Sequence, residues 1–278
     1  PNRCSLFRNS TLGIVLCMTL DQVFARAKSE KRAVLIGYMP AGFPDKEGSK
    51  RLIAAMIDGG VDVIEVGFPY SDPVMDGPVI QQAAEISLRN NTKASDVFEI
   101  VKTSTVPTLV MSYWNPIERF GAARFAQELA SVSGVGVITP DLTVEESQPW
   151  IEATNSCGIN RVYVVAPSSS DQRLSMVTGA CSGFVYAASL MGVTGARTTL
   201  SSAASELVSR LRRVTNLPIA VGLGVSNPAQ ASEVAHYADG VIVGSAFIKL
   251  VLESSNLEEA IPKVRELAEQ LSAGVRTL

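Results

Sequence analysis

"PIAVGLGVSNPAQASEVAHYADGVIVGSAFIKL", residues 218–250, shows one structural unit beginning twice. An apolar run with a glycine turn (218–224) is followed by Asn227 and Pro228, a helix start with proline at the first helical position. The helical stretch "ASEVAHYADG" (231–240) then leads into a second apolar run, "GVIVGS" (240–245), which again ends in a glycine turn. Strands that alternate with helices in this way pair in parallel through crossovers.

Six more β-rich runs lie upstream: "AVLIGYM" (33–39), "VDVIEV" (61–66), "PTLVMSY" (107–113), "GVGVIT" (134–139), "RVYVVA" (161–166) and "GFVYAA" (183–188). Successive starts among the eight differ by 28, 46, 27, 27, 22, 35 and 22 residues, and helical patterns fill the intervals. In "AASELVSRLRRV" (203–214), Ala204, Leu207, Val208, Leu211 and Val214 share a face. "TVEE" (143–146) has the spacing of a capping box, Thr143 to Glu146. The longest interval accommodates two helices, near 79–89 and 94–104. Eight such units predict an α/β chain folded as a single-domain (β/α)8 TIM barrel with extra helices over residues 18–278. The alternative is an open doubly wound sheet, which carries a glycine-rich turn after its first strand. Strand one here runs into "PAGFPD" and lacks that pattern.

The composition is that of a globular protein: 278 residues, 46% hydrophobic and 18% charged. A net charge of −3 gives no basic footprint for nucleic acid. No apolar run reaches membrane-spanning length. Cys4, Cys17, Cys157 and Cys181 form no C-x-x-C pair and read as reduced thiols of a cytoplasmic protein. His236 is the single histidine, placed just before a strand, so a Ser-His-Asp triad or a multi-histidine metal site would have to use it. No metal is expected, and acid–base chemistry falls to carboxylates, tyrosine, lysine or cysteine. Residues 1–17 read as an extension outside the domain, with Met18 as the start. Asp21 interrupts the signal-like outline that Arg3 and Arg8 begin. Residues 19–29 read as a helix with Leu20, Val23, Phe24 and Ala27 on one face.

In a (β/α)8 barrel the chemistry lies at the C-terminal ends of the strands. Glu65, Asp72, Asp76, Tyr113, Asp141 and Tyr186 lie at or just beyond such ends, and His236 lies on the opposite rim. In "VDVIEVGFPYSDPVMDGP" (61–78) the two-residue period sets Asp62, Ile64 and Val66 outward and Val61, Val63 and Glu65 inward. Glu65 would then stand at the mouth of an apolar cavity, where desolvation raises a carboxyl pKa towards neutrality. The structural alternative is an inward carboxylate neutralised by a lysine or a buried hydrogen bond. "SDPVMDGP" is a stiff loop, with Pro73 after Asp72 and Gly77-Pro78 after Asp76. Such a loop alone is turn chemistry. With Glu65 at the same mouth, Asp76 supplies a second carboxylate, and the pair can divide proton delivery and acceptance. Glycine loops follow the last three strands, at "GVTG" (192–195), "GLGV" (222–225) and Gly244-Ser245. They can turn backbone N–H groups and a helix N-terminus towards an anion, which predicts a phosphorylated substrate. No P-loop lysine is present, and Lys249 reads as a surface lysine of a helix.

"IEVGFPYSDPVMDGPVIQQA" (64–83), "GFVYAASLMGVTGAR" (183–197), "VGLGVSNPAQ" (221–230) and "ADGVIVGSAFIK" (238–249) closely resemble the α-subunit family of tryptophan synthase, from about residue 19 to the C-terminus. The string E-x-G-x-P-x-S-D-P-x-x-D-G-P is its most specific element. The resemblance implies a lyase of tryptophan biosynthesis that cleaves indole-3-glycerol phosphate to indole and glyceraldehyde 3-phosphate without a metal. It assigns catalysis to Glu65 and Asp76, and substrate contacts to Tyr113, Ile138, Val165 and Tyr186. It places Thr194, Gly195, Gly222, Gly224, Gly244 and Ser245 around the phosphate. It further implies that Asp72, Pro73 and Asn115 face a pyridoxal-phosphate-bearing β subunit in an α2β2 tetramer, with no cofactor in this chain. Two stretches depart from the family's usual pattern: "YMPAGFP" (38–44) stands where Gly-Asp-Pro is common, and Leu190-Met191 stand where an arginine is frequent. The rival enzyme is another phosphate-binding barrel of amino-acid biosynthesis, such as an isomerase or the synthase that forms indole-glycerol phosphate; the synthase would need a lysine at a strand end. None of the eight runs ends in one. A rival of another class is a non-catalytic subunit that only activates its partner, and the presence of both acids argues against it.

Overall fold

The computed structural model describes residues 18–188, 197–222 and 224–276, with the side chains of 197–201 left aside. Helix α1 (Leu20–Ser29) begins at Thr19, whose hydroxyl accepts the Gln22 N–H, while the Gln22 side chain accepts the Thr19 N–H. This reciprocal cap satisfies two donors that a helix start leaves open. The chain continues through β1 (Val34–Pro40), α2 (Lys46–Asp58), β2 (Val63–Gly67), α3 (Pro78–Arg89), α4 (Ala94–Thr103) and β3 (Thr108–Met111). Then come α5 (Trp114–Phe120), α6 (Ala122–Ser131), β4 (Gly136–Thr139), α7 (Gln148–Cys157), β5 (Asn160–Val165), α8 (Asp171–Ala180) and β6 (Val185–Ala188). The last elements are α9 (Arg197–Leu211), β7 (Ile219–Gly222), α10 (Pro228–Ala235), β8 (Gly240–Val243), α11 (Ser245–Leu252) and α12 (Leu257–Gly274).

The eight strands pair in parallel in sequence order, and β8 closes on β1. Closure excludes the open doubly wound sheet. The two-residue period sorts side chains into two apolar shells. Val34, Ile36, Val63, Leu109, Ile138, Val162, Phe184, Ala220 and Ile242 fill the barrel interior. Leu35, Ile64, Val66, Val110, Val137, Val185, Val221 and Val241 belong to the outer shell beneath the helices.

The N-terminal end of the barrel is plugged. Leu20, Val23, Phe24 and Ala27 of α1 join the interior shell, with the Phe24 and Phe184 rings 5.8 Å apart. The lower rim is also stitched by charge. Arg32 makes a two-pronged contact to Asp62 at 2.7 and 3.0 Å, and Asp62 accepts the Leu35 N–H. Open space inside the barrel is therefore left at the C-terminal mouth.

Two local expectations need correction. Thr143 does not cap a helix: residues 144–146 form one 3-10 turn, and α7 starts after Ser147 with Pro149 in its first turn. Proline's fixed φ suits that position and sets the start further along. Val214 lies beyond the end of α9 and is 36% exposed, although Ala204, Leu207, Val208 and Leu211 are buried as expected. Asn227 caps α10 through the Gln230 N–H at 3.0 Å.

Candidate active site

Glu65 projects inward from β2, level with Tyr38 on β1 and Leu109 on β3. It is 1% exposed, its Oε1 has no hydrogen-bond partner, and it makes no ion pair among the described residues. The neutralising lysine of the structural alternative is thus missing. Burial alone pushes its pKa from 4.5 up to about 8, because nothing nearby compensates the loss of water around a charge. A carboxyl in this state holds a proton at neutral pH and can release it.

Asp76 sits on the loop between β2 and α3, just ahead of Gly77, which has no side chain to cap the helix. Its carboxyl faces the same cavity as Glu65, and burial raises its pKa while a hydrogen bond with Tyr113 pulls the other way. Tyr113 is buried, and its hydroxyl also accepts the Met75 N–H at 2.9 Å. That hydroxyl's own pKa is pushed up to about 12, chiefly by burial, so it stays protonated and keeps its donor hydrogen near neutral pH.

The cavity has a volume of about 530 Å³ and takes its walls from β1–β3 and β5–β8, from residues 74–77 of the β2–α3 loop and from the start of α3. Tyr186 lines it from β6, and Gly222 leaves the space that the Tyr186 hydroxyl occupies. Gly224, with φ +67°, holds a left-handed turn that a side chain would strain. Gly244 and Ser245 line the cavity on the β8 side, where α11 begins. The Phe247 N–H is used by the Gly244 carbonyl, while the first N–H groups of the helix have no intrahelical acceptor and carry the positive end of its dipole. Groups of this kind can hold an anion on the β7–β8 side of the pocket.

The remaining expected residues divide. Ile138 faces inward but lies in the packed interior layer, and Pro140 further along lines the cavity. Val165 is corrected: it packs in the outer shell, and Val164 lines the cavity. A one-residue shift along a strand moves a side chain to the opposite face. Asp72 is exposed and paired locally with Ser71. Pro73 lies beside it on the outer lip, and Val74 is 76% exposed. Asn115 is exposed and donates to the Tyr70 hydroxyl at 2.9 Å, which joins the start of α5 to the same lip. Asp141 accepts the Trp114 N–H at 2.9 Å and supports α5. Thr194, Gly195, Leu190-Met191 and residues 1–17, with Cys4 and Cys17, lie outside the described residues. His236 ends α10, exposed, with Nδ1 2.7 Å from the Ser232 carbonyl, far from the acids. Cys157 and Cys181 are free thiols, and Lys249 pairs with Glu253 on the surface. Among the described residues no group of three or more potential metal ligands is found, and no helix is long and apolar enough to cross a membrane.

Sequence reasoning missed Tyr38, Met111, Pro140, Val164, Ala188 and Ile242, all of which line the cavity. The strand period would have found Tyr38 and Ile242 once the inward face of each strand was fixed. The exact cavity floor depends on the barrel's stagger, which no local pattern encodes.

Comparison with known proteins agrees with this geometry. The family model described as tryptophan synthase alpha chain matches residues 24–276. The tryptophan synthase alpha chain of Thermobifida fusca is 55% identical over 263 residues, covering 92% of this chain and 97% of the relative. That of Streptomyces avermitilis is 53% identical over 261 residues, covering 92% and 94%. A solved tryptophan synthase from Mycobacterium tuberculosis superposes with a TM-score of 0.87 at 45% identity, covering 94% of this chain and 100% of that one. The tryptophan synthase subunit alpha of Legionella pneumophila gives 0.86 at 28% identity, with the same coverage. A closed barrel with Glu65 and Asp76 at its mouth, matched along nearly its whole length by such relatives, belongs to the tryptophan synthase α-chain family.

Proposed function

We propose that this chain cleaves indole-3-glycerol phosphate to indole and glyceraldehyde 3-phosphate, with Glu65 and Asp76 as its catalytic residues. In this reading the phosphate rests on the N–H groups at Gly222, Gly224, Gly244 and Ser245, and the indole lies among Tyr186, Val164 and Ile242. Glu65 gives its proton to C3 of the ring, which turns the ring into an electron sink. The hydroxyl on the attached carbon loses its proton to the resulting Glu65 carboxylate, and the carbon–carbon electron pair returns to the ring as the aldehyde forms. Protons balance, and Glu65 ends as it began. Asp76 accepts the ring N–H and stabilises the positive charge that develops on that nitrogen.

The observation that carries this reading is the state of Glu65: buried, unpaired at Oε1 and pushed up to about 8 by desolvation alone. A structural carboxylate would have a partner, whereas a proton shuttle needs a site that holds both forms at modest cost. The lip formed by Asp72, Val74 and Asn115, all exposed, with half-buried Pro73 between the first two, suits a docked protein. In the proposed assembly this lip meets a β subunit that carries the pyridoxal phosphate, within an α2β2 tetramer, and indole passes between the two sites. The test is turnover of indole-3-glycerol phosphate by the chain alone and with a tryptophan synthase β subunit. Turnover that rises with the β subunit is expected. No cleavage under either condition would overturn the reading.

A further inference from the structure

Tyr38 faces the candidate site without a role in the chemistry described so far. It projects inward from β1 between Gly244 at the end of β8 and Glu65 on β2. It lines the same cavity and is 7% exposed. Two glycines make room for it. A Cβ at position 244 would lie 3.2 Å from the Tyr38 Cβ and Cδ1, and a Cβ at position 67 would run into its hydroxyl. The ring therefore reaches from the anion seat to the tip of the strand that carries Glu65, and its hydroxyl has a fixed place. Unlike the Tyr113 hydroxyl, which Met75 occupies, the Tyr38 hydroxyl makes no hydrogen bond among the described residues.

We propose that Tyr38 is a substrate-binding and specificity residue whose hydroxyl hydrogen-bonds the hydroxyl-bearing chain joining the reacting carbon to the phosphate. This assignment rests on the proposed substrate. With the phosphate held at Gly244-Ser245 and the reacting carbon at Glu65, the connecting chain must cross the strip that Tyr38 occupies. Its hydroxyl groups leave water on entering the cavity and need new partners. A tyrosine hydroxyl both donates and accepts, so it can meet a substrate hydroxyl in either sense. A site built around such a bond discriminates against a ligand that lacks the hydroxyl, because the protein group is then left unpaired.

The test uses Tyr38→Phe, which keeps the ring that fills the space beside Gly244. Turnover of indole-3-glycerol phosphate is measured in the native chain and in Tyr38→Phe, and substrate affinity is measured by calorimetry in a Glu65→Gln background. Affinity is measured in parallel for 3-(indol-3-yl)propyl phosphate, which keeps the ring and phosphate but has no chain hydroxyl. The expected result is a loss of about tenfold in kcat/KM and in substrate affinity, with affinity for the propyl phosphate unchanged or improved. Equal weakening of both ligands would assign Tyr38 to packing, and an unchanged substrate would leave its hydroxyl without a role; either result overturns the proposal. Absence of turnover in the native chain would instead overturn the reaction itself, so the two failures are distinguishable.

Discussion

Met75 donates its main-chain N–H to the Tyr113 hydroxyl at 2.9 Å, and this bond ties the loop of Asp76 to the end of β3. Asp76 directly follows Met75 and lines the cavity, so this one hydroxyl anchors the loop beside its acid. The Tyr70 ring, 5.4 Å from that of Tyr113, adds an apolar contact to the same anchor. The side chains of Val74 and Met75 point away from this anchor into solvent.

Tyr113→Phe should keep the ring contact and remove the hydrogen bond from Met75. That bond is worth about 1 kcal/mol net, so kcat should fall roughly fivefold. The loop around residues 72–76 should also become easier to cleave with a protease. Kinetics and limited proteolysis with mass mapping check the two effects. A fall in kcat with an unchanged cleavage pattern would place the effect on Asp76 alone.

Glu65 makes the stability of the protein depend on pH in a defined sense. Its folded pKa, about 8, exceeds its ordinary value of 4.5. The folded state therefore binds the proton more tightly than the unfolded chain does. The contribution of neutral Glu65 is intact below 4.5 and is lost as pH rises through about 8, with a total on the order of 5 kcal/mol. Glu65→Gln removes this loss. Denaturant titrations should show the variant gaining on the native chain between pH 5 and 8, while its turnover is abolished and its affinity for a phosphate ligand is nearly intact. The native kcat/KM should decline above about pH 8, as the proton that Glu65 must deliver is lost. A stability difference that stays flat with pH would show that Glu65 is paired in solution.

The barrel was legible because its signal is repeated. Eight apolar runs with helical patterns between them leave few topologies, and the inward face of β2 follows from the alternation around Glu65. Asp76 was legible because a second acid near the same strand end is rare enough to notice. Indole was not legible from local chemistry and entered through resemblance alone. Val165 was misplaced because both Val164 and Val165 are apolar, so the sequence around them does not reveal which one faces inward. Tyr38 was passed over because a tyrosine inside an apolar strand looks like core until the cavity above it is seen.

Val164 and Val165 offer a direct check on that correction. Val165→Ala removes two methyl groups from the outer shell, where the residue is 2% exposed. It should cost about 2 kcal/mol of stability and leave the Michaelis constant unchanged. Val164→Phe adds bulk where Val164 lines the cavity. It should raise the Michaelis constant strongly with little loss of stability. The reverse pattern would put Val165 in the pocket.

The plug at the other end of the barrel separates stability from chemistry. Phe24 is 6% exposed and packs against Phe184, Leu20 and the interior layer. Phe24→Ala should open a void beneath that layer and cost about 3–4 kcal/mol. The mouth that holds Glu65 and Asp76 is built from the opposite ends of the strands, and their spacing does not depend on α1 while the barrel remains closed. The variant should therefore melt several degrees lower yet keep nearly native kcat and KM at a temperature where it is folded. Thermal unfolding and steady-state kinetics on one preparation test this. A large loss of kcat in folded protein would show that packing below the interior layer sets the position of Glu65, and the barrel would then have to be treated as one coupled unit from plug to mouth.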